Sequence, residues 1–305
     1  AYANVTGAFD LFGLHNPLGG PAALPFLFRR CQFKEPIVLD HSRLSSLQFE
    51  DCEFFKPSSN QNVIISAKAV SIDGPLSLEG SRMNAEGVGT FGTVDLTDAR
   101  IAGPAHFNAL AGHWAFLAQG LHVDGRLDFS DCDAAGAANA VARRRRRDRL
   151  PDNLRDPDFQ TSISANLRNL NVAGDFSASG SSFKARTPLN GAALDLSNGT
   201  VAGTIHLDTS KNKAIKIENW DIKTEDLFFH SAGRIRLNGT RIGGKLIIVS
   251  TKITSKEDYT IDARSVEIRQ NIRIGPDSKE LDKIQNMKID GGLNLSSATI
   301  DGQLE

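Results

Sequence analysis

Cysteine is scarce: the 305 residues hold three, Cys31, Cys52 and Cys132. An odd number this small cannot build a disulfide framework, so a reducing compartment and a cytoplasmic location are the expectation. Long apolar runs are missing too. The longest, such as KLIIVS (245–250), have strand length, against roughly 20 residues for a membrane-spanning helix. Charge of one sign is also missing. Lys and Arg number 35 and Asp and Glu 36, for a formal net charge of −1. No whole-molecule field therefore draws nucleic acid or anionic membrane. Nucleic acid is the least favoured partner. The motifs HExxH, G-x-S-x-G and the P-loop are absent, and His15, His41, His113, His122 and His230 form no ligand pattern. Neither a metal nor a cofactor is expected.

A repeat is present. In residues 31–55, CQFKEPIVLDHSRLSSLQFEDCEFF, large apolar residues fall at Phe33, Leu39, Leu44, Phe49 and Phe54. Cys31, Ile37, Ser42, Leu47 and Cys52 each stand two positions earlier. Spacing by five suits neither a helix nor an uninterrupted strand. It suits a chain that turns a corner every five residues, with i and i−2 pointing inward on each short strand. Four such faces close a coil of about 20 to 22 residues.

The pattern recurs. It puts Val94, Leu96, Ala99, Ile101, Ala105 and Phe107 inside, then Leu194, Leu196, Gly199, Val201, Ile205 and Leu207. Further on it selects Ile235, Leu237, Thr240, Ile242, Leu246, Ile248, Thr251 and Ile253, and LNLSSATIDGQL repeats it at the end. Gly103, Gly174, Gly203, Gly244 and Gly302 mark a wider corner, where a permissive backbone is expected. The prediction is an all-β, right-handed parallel β-solenoid, four-sided, with an N-terminal cap at 1–27. Solenoid follows at 28–132, an Arg-rich inserted loop at 133–160 and more solenoid at 161–305, in one elongated domain.

These quintets resemble the pentapeptide-repeat family, with L-x-L pairs and x-G-x corners in place of Ala-Asp/Asn-Leu. The variation is similar to bacterial repeat proteins often labelled membrane-associated oxidoreductases, although no residue here carries that activity. The resemblance implies a four-sided coil with rigid faces for binding. The start at Ala1-Tyr2-Ala3, without Met, suggests a processed or truncated end. The last repeat stops without an amphipathic cap, so the C-terminal end is expected either to continue or to be an interface.

Several constellations carry chemistry in principle. GVGTFG (87–92) matches a dinucleotide-binding fingerprint, but TVDLTDARIAG follows it where a helix should open. It reads as a corner leading into a strand at Val94–Leu96. Cys31 and Cys52 are one coil apart, as are Phe33 and Phe54, so each pair should stack on neighbouring rungs. Buried small residues are favoured there over a metal or redox pair.

Arg143, Arg144, Arg145, Arg146 and Arg147 are the candidate anion-binding residues, suited to phosphate groups of an anionic membrane surface. A solvated loop tethered by Asp148, Asp152, Asp156 and Asp158 is the plainer reading. Asp95, His106, Asp128, Asp195 and His206 point outward and are the candidates for acid–base catalysis on a glycan. Phe55, Trp114, Phe228 and Ile247 are the candidates for an exposed partner patch. The function expected is non-enzymatic binding of a protein partner, extending to end-to-end self-association. The alternatives are a β-helix carbohydrate-active enzyme and a peripheral membrane protein using the arginine loop.

Overall fold

The computed structural model describes residues 3–5, 7–14, 23–55, 62–84, 92–132, 162–185, 192–208, 229–249, 251–275 and 288–305. Every regular element among them is a β-strand, and the strands pair in parallel in solenoid-like closed sheets of four, 12 and 17 strands. No described helix is long and apolar enough to cross a membrane.

The ladders repeat the sequence pattern rung by rung. In the 12-stranded sheet Ile37, Ile65, Val94 and Phe116 follow one another, then Ala165, Leu194, Ile235, Ile261 and Leu293. The 17-stranded sheet contains two columns of short strands. One stacks Leu44, Ile72, Ile101, Val123, Val172, Val201, Ile242, Ile268 and Ile300. The other stacks Leu47, Leu76, Ala105, Leu127, Phe176, Ile205, Leu246 and Ile272. The four-stranded sheet carries Val5, Phe33, Phe54 and Met83.

Inward residues predicted from the quintets are buried, among them Val94, Leu96, Ile101, Phe107, Leu196, Val201, Ile235 and Thr240. Phe33 and Phe54 stack with ring centroids 5.2 Å apart and planes 13° off parallel, as one coil of separation requires. The strand after the glycine-rich stretch is Gly92–Asp95; residues 87–91 lie outside the described residues. Part of the segment expected as a cap joins the ladders, because Ala3–Val5 pairs with Cys31–Phe33 and Phe9–Asp10 with Ile37–Val38.

Corner chemistry explains the polar positions. Asp95 Oδ1 accepts hydrogen bonds from Thr97 N (3.1 Å) and Thr97 Oγ1 (2.7 Å), and Asp195 does the same with Ser197 at 3.0 and 2.6 Å. Asn294 repeats it with Ser296, and Asp128 Oδ1 accepts from Ser130 N at 2.9 Å. Such side chains stand in for a backbone acceptor in a turn. The next residue is left-handed in each case: Asp98 (φ 57°), Asn198 (58°), Ser297 (59°) and Asp131 (58°).

At many of these turns the following side chain points inward and donates to a carbonyl of the preceding rung. Ser81 Oγ reaches Phe49 O, Thr240 Oγ1 reaches Leu196 O, Cys52 Sγ reaches Phe28 O and Cys132 Sγ reaches Phe107 O. The buried thiols therefore satisfy carbonyls that a hydrophobic interior would otherwise leave unpaired. That is a structural use for Cys52 and Cys132.

Two expectations are corrected. Gly103, Gly174, Gly203 and Gly244 are not in left-handed conformations. They are glycine because the corners stack too closely for a side chain. A Cβ on Gly103 would lie 2.7 Å from Gly74 C, and one on Gly203 would lie 2.8 Å from the Gly174 carbonyl. Trp114, expected at the surface, is fully buried. It pairs with Gly92 in the ladder, and the space a Gly92 side chain would take is filled by Met83, 2.4 Å from where its Cβ would lie. Its Nε1 donates to Ala111 O at 2.9 Å, and its ring meets Phe54 edge-on at 5.7 Å.

Candidate functional site

Outward residues of the Leu127–Phe176 column form two parallel files. Strand register places Gln48, Ser77, His106, Asp128, Ser177, His206, Ile247 and Arg273 in the first. Two residues further along each rung, the second file runs Glu79, Asn108, Ser130, Ser179 and Asp208, joined rung to rung by amide bonds of the left-handed turns. Alternation sends these side chains away from the core, because their neighbours Phe107, Phe129, Ala178 and Leu207 are buried inside.

The polar groups interlock. Ser130 Oγ and Ser177 Oγ are 2.7 Å apart, and Ser177 Oγ and Ser179 Oγ 3.2 Å. His206 Nδ1 is 3.5 Å from Asp208 Oδ2. Arg126 Nη2 lies 3.2 Å from Asp128 Oδ2. Ser177 and Ser179 are almost without exposure. Asn108 Oδ1, His206 Nδ1 and Asp208 Oδ1 are buried with no hydrogen-bond partner.

The five catalytic candidates divide between two sheets. His106, Asp128 and His206 fall in the first file. Asp95 and Asp195 fall in the 12-stranded sheet, in a ladder with Ser66, Leu117, Asn166 and Arg236. All three Asp side chains are used alike: Oδ1 caps a turn and Oδ2 faces a cation. Those cations are Lys68 at 3.5 Å from Asp95, Arg126 beside Asp128, and Arg236 at 3.7 Å from Asp195.

The three partner-patch residues among the described ones are not brought together. Trp114 is in the core, Phe55 is half-buried beside Asn84 in the four-stranded sheet, and Ile247 is half-buried below His206. Phe228 and Arg143 to Arg147 lie outside the described residues. Asn108, Ser177, Ser179 and Asp208 were not singled out from the sequence. The signal was there in HFN, DFS, SAS and HLD, whose first and third residues both face outward.

The most elaborate electrostatic arrangement among the described residues lies elsewhere and is structural. Burial alone would raise the Asp262 pKa. Hydrogen bonds from Arg264 (2.9 and 3.0 Å) and Asn238 (3.1 Å), with the charges of Arg264 and Arg234, outweigh it and hold the carboxyl below its ordinary value. Among the described residues no three His, Cys, Asp or Glu side chains converge to hold a metal ion.

The fold defines the class, an all-β protein of parallel, solenoid-like sheets. No protein family, curated protein or solved structure matches this chain.

Proposed function

We propose that this chain is a non-enzymatic binding protein, a right-handed four-sided coil of the pentapeptide-repeat kind whose rigid faces present side chains to a macromolecular partner. The observation that supports it is the double file around Asp128. Successive rungs hold polar groups at a fixed separation of about 4.8 Å, on a floor anchored by a continuous core. A surface so preorganised loses little conformational freedom on binding.

Catalysis fits less well. Asp95, Asp128 and Asp195 commit both carboxylate oxygens to turns and cations. Ser177 Oγ is bonded to Ser130 and Ser179 rather than to His206. The three unbridged thiols support a reducing, cytoplasmic setting.

Photo-cross-linking residues placed at Asn108 and at Thr200, in the neighbouring column, test the reading. A partner captured from Asn108 and not from Thr200 is the expected result. Equal yields, or none, would reject the double file as the binding face.

A further inference from the structure

We draw no further inference here: the strongest candidate, the exposed cations Arg241, Lys245 and Arg269 around the Gly243–Gly244 corner, is split between two columns of strands with Arg241 already paired to Glu267 at 3.3 Å, and nothing in the structure shows what covers it.

Discussion

A left-handed backbone costs an L-residue about 1–2 kcal/mol, yet Ala69 adopts φ 51° at one corner of the coil. Its side chain is exposed. Ala69→Gly should therefore raise stability by about 0.5–1 kcal/mol once the extra freedom of unfolded glycine is subtracted, read from the denaturant midpoint. Gly203 is the opposite case. Its Cβ would meet Asp175 Oδ1 at 2.2 Å and Gly174 backbone at 2.8 Å, so Gly203→Ala should destabilise by roughly 1–3 kcal/mol. If both changes were neutral, backbone conformation and corner stacking would not be what governs these positions. Asp195→Ala removes two bonds to Ser197 and the Arg236 contact. It should cost about 1–2 kcal/mol, while Asp195→Asn should cost less, since Asn294 performs the same cap. Equal losses for Ala and Asn would show that the charge, not the turn bond, matters.

At the scale of the element, two strands each carry a group with a shifted pKa. His113 begins the strand His113–Leu117, where burial and then the charge of Lys184 lower its pKa from 6.5. The unfolded chain thus binds the proton more readily, so this strand's contribution is complete above pH 6.5 and declines as pH falls below it. Asp262, at the end of Thr251–Asp262, is held below 3.8. Its contribution is present above pH 3.8 and is lost as pH drops through the folded value. Stability measured against pH should fall in two stages. His113→Gln should remove the upper one and Asp262→Asn the lower. A profile unchanged by either substitution would mean that these ladders do not sense protons.

For the whole molecule, each rung contacts its neighbours only, so stability is shared along the stack. Rungs in the middle are gripped from both sides, and Leu127, Phe176 and Ile205 are fully buried there. Thr299 and Ile300 pair with Glu267 and Ile268, and their rung is far more exposed. Hydrogen exchange should be slowest at the amides of Leu127, Phe176 and Ile205 and at least tenfold faster at Thr299 and Ile300. Uniform protection would contradict a nearest-neighbour stack.

The amino-acid sequence by itself determined the parallel all-β architecture and nearly all of the core. A period of five allows one direction for Val94, Ile101 and Phe107, whatever lies above or below them. It also announced polar corners, since DLT, DLS and NLS each place an acceptor two residues before its donor. Beyond the one coil that spaced Phe33 and Phe54 for stacking, only the tertiary structure decided what stacks on what. Asp95 lies beside Leu117, whereas Leu117 lies beside Asn166, because coils differ in length and the spacing between like positions is not constant. That same stacking buried Trp114 in the core and set Asp128, Ser177 and His206 in one file. Inward or outward is a property of one coil. Neighbourhood across rungs is a property of all of them, and the file through His106, Asp128, Ser177 and His206 exists only at that level.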